Sequence, residues 1–419
     1  MPSWRHGVVI VGAAVLHVTL VWSVVSETPD GRVPPRSPRF LTAPFFFDAL
    51  SWPGPGGDFY ALYHGGLQAR RGGSPHDPTT VEGDAPYYFR YIYSPVLAQT
   101  LGRAVTLLSP WSAYLVWVVV IEACLLAWLL LLYRDGASPS VRTFAVVLLL
   151  AGQPYLLELH MGQFTFVAVA LTLWAAKGGL RASGVAALFG AIVLKTFPLV
   201  ALPALVRTGA RRALIGGLVA ATVVLVSSAV GPRGDGHFAL GMLDTMGGPH
   251  PGAESLSQAI YMMVMALTGV WLPTVIPWLP AAVVSVSVAL AAWRVFTGRG
   301  SVMLGCCAML LAFFVSYLHV WEHHYSAVLL ICVVALVEMS RITARDDAPR
   351  RALTVAAILL ALPSPFALAG HAFQSWTPVT WLLMSVSKGL PTVIAFAAVL
   401  GAVAQDRAAG VVRVPAPAP

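Results

Sequence analysis

The sequence predicts an all-α polytopic membrane protein with about 12 transmembrane helices and with interfacial helices in its noncytoplasmic loops. Of its 419 residues, 58% are hydrophobic and only 11% are charged, whereas about 25% of the residues of a soluble globular domain are charged. Long apolar runs recur along the chain, and about 20 apolar residues suffice to cross a bilayer as a helix. One membrane domain over residues 1–406 and a disordered cytoplasmic tail over 407–419 therefore account for the length.

The predicted spans are the apolar runs that are long enough to cross the bilayer alone or as paired halves. The first run is longer than the core of a signal peptide, so we expect it to be retained as an anchor. The two runs around Lys195 and Pro198 are short, which leaves open a pair of half-spans or one kinked helix. The runs cover residues 7–25, 112–133, 142–158, 164–180, 183–194, 196–206, 212–230, 273–296, 301–318, 324–340, 352–369 and 379–404.

The distribution of lysine and arginine predicts a cytoplasmic N-terminus. If successive spans alternate in direction, sixteen of the 26 lysine and arginine residues lie on the cytoplasmic side, and seven of the other ten lie in the long segment 26–111, which is too long for the positive-inside rule to apply. Two noncytoplasmic loops are long, 26–111 and 231–272. We expect helices lying in the interface at the end of the first loop, and a helical stretch over 256–268 inside the second. Because the net charge of +8 is spread in ones and twos between apolar runs, it indicates topology and predicts no nucleic-acid partner.

Asp58 is the sharpest local feature of the first long loop. It follows a pair of glycines, Gly56 and Gly57, and precedes a short helical pattern. Two roles are open on the residues alone. The carboxylate could cap the N-terminus of the helix, or it could take a proton from a hydroxyl that attacks a lipid-linked substrate just outside the membrane.

Four blocks of sequence carry a family resemblance. They are GDFYALYHGGLQARRGGSPHDP followed by FRYIYSP, then HMGQFTFVAVALTLWA, LKTFPLVALP and VWEHHYSAVLL. In this order, the blocks resemble the first outer loop, the short GQ turn, the lysine-proline hairpin and the aromatic-histidine outer loop of the polyprenol-phosphate-mannose-dependent mannosyltransferases. Those enzymes belong to the GT-C class of glycosyltransferases.

The resemblance implies a multi-span fold in the plasma membrane whose active site opens on the noncytoplasmic face, with Asp58 as the general base. It implies transfer of mannose, with inversion, from polyprenyl phosphomannose to a phosphatidylinositol mannoside glycolipid, with an α-1,2 linkage. The expected partners are this donor, the glycolipid acceptor and the lipid bilayer, and we expect a monomer. No cofactor or metal is expected, since the sequence lacks an HEXXH pattern. The sequence also lacks a DxD pattern and a Gly-rich phosphate loop, which argues against a nucleotide donor.

A departing phosphate needs positive charge or hydrogen-bond donors nearby. Lys195 is the strongest candidate because it is a basic exception on the predicted noncytoplasmic side, as Lys388 is; snorkelling is the alternative. The histidines at one outer helix end could bind a phosphate or a sugar, or they could simply lie at the membrane interface. Arg90 in the first long loop could reach a phosphate, or it could be solvated. The predicted donor-binding residues are Lys195, His323, His324, Arg90, His319 and Tyr93.

Acceptor binding needs aromatic faces and hydrogen-bonding side chains close to Asp58. The tyrosines could stack on sugars, or they could form a membrane belt. The polar candidates could bind sugar hydroxyls, or they could form turns and helix starts. The predicted acceptor-binding residues are Tyr60, Tyr63, Gln163, Glu254, Gln258, Glu322 and Trp321.

Three other functions remain open from the sequence. Within the enzyme class, an arabinosyltransferase that uses a decaprenyl phosphate donor is the nearest alternative. A secondary transporter or lipid flippase would show a midplane charge pair or broken helices in two matched halves, and neither is clear in the sequence. A noncatalytic anchor protein would tolerate replacement of Asp58. The large aromatic outer loop around one carboxylate favours the enzyme.

Overall fold

The computed structural model of the protein describes residues 4–26, 55–76, 85–86, 91–135, 137–178, 181–230, 253–269, 278–297, 301–341, 347–364 and 377–409. Within these residues the fold is all-α, which confirms the predicted class. The first helices are α1 (Trp4–Val25), α2 (Gly57–Arg70), α3 (Pro95–Leu97, a π-helical turn Ala98–Gly102, and Arg103–Val105), α4 (Pro110–Arg134), α5 (Pro139–Ala151), α6 (Gln153–Met161) and α7 (Thr165–Lys177). The others are α8 (Ala182–Leu194), α9 (Leu202–Val230), α10 (Leu256–Thr268), α11 (Trp278–Thr297), α12 (Val302–Ser316), α13 (Tyr325–Met339), α14 (Ala348–Ala361) and α15 (Pro378–Ala409).

Among the described residues, six helical segments are long and apolar enough to cross a membrane: Trp4–Val25, Pro110–Arg134, Pro139–Met161, Gly209–Ser227, Glu322–Met339 and Pro378–Ala404. Each predicted apolar run overlaps a helix, and the helical stretch expected inside the second long loop is α10. The chain is therefore a polytopic membrane protein, while the count of twelve spans stays a prediction. The Glu322–Met339 segment is 94% buried and Trp4–Val25 is 22% buried, so α13 lies at the centre of the bundle and α1 at its edge.

The predicted span 142–158 is built from two helices that meet at Gly152. Pro154 lies in the first turn of α6, and a proline there cannot donate a hydrogen bond to the Leu150 carbonyl four residues earlier. His17 of α1 replaces the missing donor, with 2.9 Å between its Nδ1 and the Leu150 oxygen. The Nε2 of His17 lies 3.1 Å from Oε2 of Glu122 on α4. The helix break thus fixes α1 to the bundle.

The two short runs around Lys195 are separate helices, which settles the alternative that the sequence left open. Lys195 has an extended backbone (φ −147°, ψ 137°) at the end of α8, and the 3₁₀ turn Phe197–Ala201 leads into α9. A continuous helix would require an N–H at Pro198 and would bring its ring against the Leu194 carbonyl. The break leaves Lys195 at the junction between the two helices.

Opposite ends of α7 carry different polar groups. At its C-terminus, Lys177 donates to Asp135 at the end of α4, with 2.7 Å between Nζ and Oδ1. Arg341, just beyond α13, lies 3.3 Å from the same carboxylate. Lys177 and Arg341, both predicted to be cytoplasmic, therefore lie on one side of the bundle. Gln163, which precedes α7, lies at the other end, about 20 Å away at 1.5 Å per residue.

The first-loop helix α2 packs closely against α3. A Cβ atom added at Gly66 would lie 2.2 Å from the Gly102 carbonyl oxygen, so the two backbones are in direct contact. At the C-terminal end of α2, Arg70 donates from Nη1 to the Thr106 carbonyl at 2.8 Å. These contacts fix α2 on the bundle and hold its N-terminus, which carries Asp58, in a defined position.

Candidate active site

Asp58 lies in the first turn of α2, and Gly56 occupies the N-cap position. Of the two roles that the sequence leaves open, Asp58 therefore does not have the capping role, because no side chain caps this helix. Gly56 takes the left-handed conformation (φ 91°, ψ 16°), which favours glycine. The carboxylate of Asp58 is instead free to point away from its own helix, and its side chain is 21% exposed.

The amide of Gln163 joins Asp58 to His323. Its Nε2 donates to Oδ2 of Asp58 at 2.9 Å and lies 3.4 Å from Nε2 of His323. Its Oε1 accepts hydrogen bonds from the Phe164 backbone at 2.8 Å and from the Tyr93 hydroxyl at 3.3 Å. Because Oε1 faces two donors, the amide orientation is fixed, and the NH₂ group faces Asp58 and His323.

The turn that carries Gln163 is pressed against the start of α2. Gly162 is left-handed (φ 64°, ψ 36°), and a Cβ atom there would lie 2.7 Å from Cβ of Phe59. The indole of Trp117 donates to the Gln163 carbonyl at 3.3 Å. Gly56 donates its N–H to the His160 carbonyl at 2.6 Å. The turn can therefore lie this close to α2 because it carries glycine at position 162.

Lys195 lies across the site from the Gln163 turn. Its Nζ is 3.4 Å from Nε2 of His324 and 5.5 Å from the ring centroid of Tyr93. Burial lowers the pKa of Lys195, and the carboxylates of Asp58 and Glu158 oppose that effect. The residue as a whole is half-buried.

The imidazole of His324 presents a hydrogen-bond donor to Lys195. The Trp321 backbone N–H donates to Nδ1 of His324 at 3.0 Å. A neutral imidazole that accepts at Nδ1 carries its hydrogen on Nε2, which is the atom that faces Lys195. Two donors, the ammonium group and the Nε2–H, thus converge on the same point.

The protonation of Asp58 reflects its surroundings. Burial raises the pKa of Asp58 to about 6, against the lowering effects of Lys195 and of the hydrogen bond from Gln163. A carboxylate with this pKa is ionised in most molecules at neutral pH and is more basic than an ordinary aspartate. These are the properties that a general base needs.

Glu158 is a site residue that the sequence analysis missed. Its side chain is fully buried, and its two oxygens accept hydrogen bonds from the Phe166 backbone at 2.8 Å and the Ser326 hydroxyl at 2.9 Å. A signal was present in the sequence, since Glu158 is a carboxylate at the edge of a predicted span, where ionisable residues mark functional sites.

Two predicted acceptor residues, Glu322 and Glu254, lie in a second polar cluster around the buried Lys388. Glu322 accepts hydrogen bonds from the backbone N–H and the hydroxyl of Ser364, at 2.8 and 3.1 Å. The buried ammonium of Lys388 donates to the carbonyls of Leu360 and Leu362, and it interacts electrostatically with Glu322 and Glu254. Gln258 is fully buried on the first turn of α10.

The remaining predicted residues either have packing contacts or lie outside the residues that the structure describes. Tyr60 is buried with its ring 6.3 Å from that of Tyr114, and Tyr63 donates to the Leu108 carbonyl at 2.9 Å, so both hold α2. His319 is buried, with its ring 5.9 Å from that of Tyr317. Arg90 lies outside the described residues. In the described part of the chain, no group of three or more His, Cys, Asp or Glu side chains could hold a metal ion.

Comparison with known proteins identifies the family of the chain. The sequence matches the model of glycosyltransferase family 87 over residues 91–320, which is more than half of the chain. Gln163, Glu158 and Lys195 lie inside the matched region, Asp58 lies before it, and His323 and His324 lie just after it. No curated protein matches the chain. The chain therefore belongs to glycosyltransferase family 87 and is a membrane glycosyltransferase of the GT-C class.

Proposed function

We propose that this protein is an inverting mannosyltransferase that uses polyprenyl phosphomannose as donor and a phosphatidylinositol mannoside glycolipid as acceptor. The observation that carries the proposal is the pairing of a partly exposed base, Asp58, with two converging donors, Lys195 and His324. The sequence resemblance to the polyprenol-phosphate-mannose-dependent enzymes supports the identity of the sugar, the acceptor and the α-1,2 linkage.

The converging donors favour an anionic ligand. The Lys195 ammonium and the Nε2–H of His324 face each other at 3.4 Å, and neither can accept a hydrogen bond from the other. An oxygen of a phosphate group placed beside them would accept from both. The proposed ligand at this point is the phosphate of the donor lipid, and the ring of Tyr93, 5.5 Å from Nζ, lies under the same lysine.

The reaction transfers one proton and one sugar. The acceptor hydroxyl oxygen attacks the anomeric carbon of mannose, its proton passes to the carboxylate of Asp58, and the bond between the anomeric carbon and the phosphate oxygen breaks. The attack comes from the face opposite the phosphate, so a β-linked donor gives an α-mannoside. Gln163 orients the carboxylate through the 2.9 Å hydrogen bond.

Leaving-group departure converts a phosphodiester with one negative charge into a monoester that can carry two. Lys195 and His324 stabilise the additional charge in the transition state, and stabilisation of this kind by one positioned donor changes rates by about 10²–10³-fold. We propose that the reaction needs no metal ion, because the lysine supplies the positive charge beside the phosphate.

The site lies at one end of the bundle, as a lipid-linked donor requires. Asp58 and Lys195 lie at the opposite end of α7 from Lys177 and Asp135. The positive-inside rule places the end with Lys177 and Arg341 in the cytoplasm. We therefore propose a plasma-membrane enzyme whose site faces the noncytoplasmic side.

The test is a donor comparison with the purified protein in detergent. The protein is mixed with a phosphatidylinositol mannoside and with either polyprenyl phosphomannose or decaprenyl phosphoarabinose, and the lipids are analysed by mass spectrometry with and without EDTA. The proposal predicts extension by one hexose in both buffers. Extension by a pentose alone would identify an arabinosyltransferase, and extension that EDTA abolishes would contradict the metal-free mechanism. If no lipid is extended while labelled lipid crosses proteoliposome membranes, the protein is a flippase.

A further inference from the structure

A polar cluster inside the bundle joins α1 to α4 and α6, apart from the proposed active site. It consists of His17, Glu122 and Tyr155, each of which belongs to a segment that is long and apolar enough to cross the membrane. We infer that these three are positioning residues: they set the direction of α6 and thereby hold the GQ turn (Gly162–Gln163) in place. The inference rests on the proposed function only for its effect on the transfer rate.

The cluster bridges the helix break at Gly152, where α5 and α6 meet as separate helices. On the α5 side, Nδ1 of His17 lies 2.9 Å from the Leu150 carbonyl oxygen. On the α6 side the connection runs through Glu122, whose two oxygens lie 3.1 Å from Nε2 of His17 and 3.0 Å from the Tyr155 hydroxyl. Because the backbone is broken here, side chains of α1 and α4 set the direction of α6 relative to α5.

The hydrogen-bond partners of His17 make the cluster neutral. The Leu150 carbonyl can only accept, so Nδ1 of His17 carries a hydrogen. The short contact between Nε2 and Glu122 needs one further proton, which belongs either to the imidazole or to the carboxyl group. In both cases the pair has no net charge, whereas an isolated charge at this depth in a membrane would be strongly unfavourable. Loss of His17 would therefore also leave Glu122 without its main partner.

Beyond the break, α6 carries the hydrogen bonds that hold the GQ turn. One helical turn after Tyr155, the carbonyl of Glu158 accepts the Gln163 N–H at 3.1 Å, and its Oε1 accepts the Phe166 N–H at 2.8 Å. The ring centroid of Tyr155 lies 5.0 Å from that of Phe166. A change in the direction of α6 therefore disturbs the bonds on both sides of the turn.

Two side-chain hydrogen bonds attach α6 to α4. Near the start of α6, Tyr155 donates to Glu122 at 3.0 Å, and near its end the Leu159 carbonyl accepts from the Tyr114 hydroxyl at 2.8 Å. A helix of nine residues moves as a short rod, so two attachments fix its direction and one lets it tilt. Without the cluster, α6 can tilt about Tyr114, which stretches the bonds from Glu158 to the turn.

The experiment follows backbone amides and needs no substrate. Hydrogen–deuterium exchange of the purified full-length protein in detergent is measured on fragments that resolve the amides of Gln163 and Phe166. His17→Leu removes both hydrogen bonds of the imidazole, and we expect the two amides to exchange faster by on the order of 10-fold. Trp128→Phe is the matched control, because it removes the hydrogen bond from the indole to the Ala170 carbonyl (3.2 Å), which joins α4 to α7 outside the cluster. It should keep the wild-type exchange at both amides.

Two further variants separate hydrogen bonding from packing and charge. Tyr155→Phe keeps the ring against Phe166 and removes only the hydroxyl, so faster exchange at the same two amides reports the hydrogen bond to Glu122. Glu122→Gln removes the carboxyl proton site but keeps both hydrogen bonds, since its NH₂ group can donate to Nε2 of a neutral His17 and its oxygen can accept from Tyr155. This variant should exchange like the wild type.

The catalytic readout is the split between kcat and KM. A tilt of α6 displaces Gln163 from Asp58, whereas Lys195 lies on another segment. We therefore expect Tyr155→Phe and His17→Leu to lower kcat by on the order of 10-fold with little change in the KM of the donor.

Unchanged exchange at Gln163 and Phe166 in Tyr155→Phe, or faster exchange confined to α1 in His17→Leu, would overturn the inference. Faster exchange at the two amides with a wild-type kcat would overturn it as well. If His17→Leu does not fold, Tyr155→Phe still decides the question, because it leaves the packing of the ring intact. If the wild type transfers no sugar, the proposed function fails, while the exchange rates still show whether the cluster holds the turn.

Discussion

Gln163 donates its side-chain amide to the carboxylate of Asp58, with 2.9 Å between Nε2 and Oδ2. The two residues belong to different segments, the GQ turn and the first turn of α2. The amide cannot rotate to present its oxygen to Asp58 without losing the hydrogen bonds from Tyr93 and Phe164. The carboxylate that we propose as the base is therefore held in one orientation by a side chain that is itself fixed.

The activity is expected to fall as the pH falls through about 6, the pKa to which burial raises Asp58, because a protonated carboxyl group cannot accept a proton. The hydrogen bond from Gln163 lowers the pKa of Asp58, so Gln163→Ala should raise it and move the acidic side of the profile to higher pH. Initial rates of hexose transfer between pH 5 and pH 8 measure both effects. A profile of Gln163→Ala that coincides in shape with the wild-type profile would show that Asp58 is not the titrating group.

Lys195→Met is expected to lower the transfer rate by about 10²–10³-fold, since it removes the cation beside the proposed phosphate. Lys177→Met is the matched control. Lys177 lies at the far end of α7, away from the proposed site, in an ion pair with Asp135. Its loss should leave the transfer rate within about two-fold, and it should lower the stability by at most about 1 kcal/mol, as is usual for an ion pair near the surface. Equal transfer rates in the two variants would show that Lys195 does not act on the donor phosphate.

Gly66→Ala is expected to displace α2 and thereby Asp58, because the new methyl group would lie 2.2 Å from the Gly102 carbonyl oxygen. Overpacking of this kind costs about 1–3 kcal/mol. Gly190→Ala is the control, as its nearest neighbour would lie at an ordinary 3.6 Å. The thermal midpoint in detergent and the transfer rate should both fall in the first variant only. A fully active Gly66→Ala would mean that α2 does not set the position of the base.

Lys388→Met is expected to destabilise the protein by about 3–5 kcal/mol, since it leaves Glu322 and Glu254 in a buried region without their cation. Adding Glu322→Gln to Lys388→Met should restore part of the loss, because the second change removes one of the two uncompensated charges. Thermal unfolding of the two single variants and the double variant gives the coupling energy. Strictly additive losses would show that Lys388 and Glu322 do not interact.

The helical architecture could be predicted because the bilayer imposes it on every apolar run. Residues 256–268 were predicted as a helix inside a polar loop, and the structure has α10 there. Proline marked the break at Lys195 and would also have marked the break at Gly152, because Pro154 stands within the predicted span 142–158. Helix breaks of this kind therefore follow from local chemistry.

The site residues that could be predicted are those with a distinctive local sequence context. Asp58, Gln163, Lys195 and His323 each stand at the edge of an apolar run or beside glycine, and the structure brings them together. The partners of Glu322 could not be found in this way. Its carboxylate binds Ser364, which lies beyond α13 and α14, and no local pattern records a contact between segments so far apart along the chain.

The most direct measurement is the single-turnover rate of mannose transfer by Asp58→Asn beside the wild type, with polyprenyl phosphomannose and a phosphatidylinositol mannoside at pH 7.5. Asparagine keeps the size of the side chain and can still accept the hydrogen bond from Gln163, but it cannot take a proton. The proposed mechanism predicts a loss of at least about 10²-fold in a variant that unfolds at no lower a temperature than the wild type. A folded Asp58→Asn protein that transfers mannose at the wild-type rate would contradict the role of Asp58 as general base.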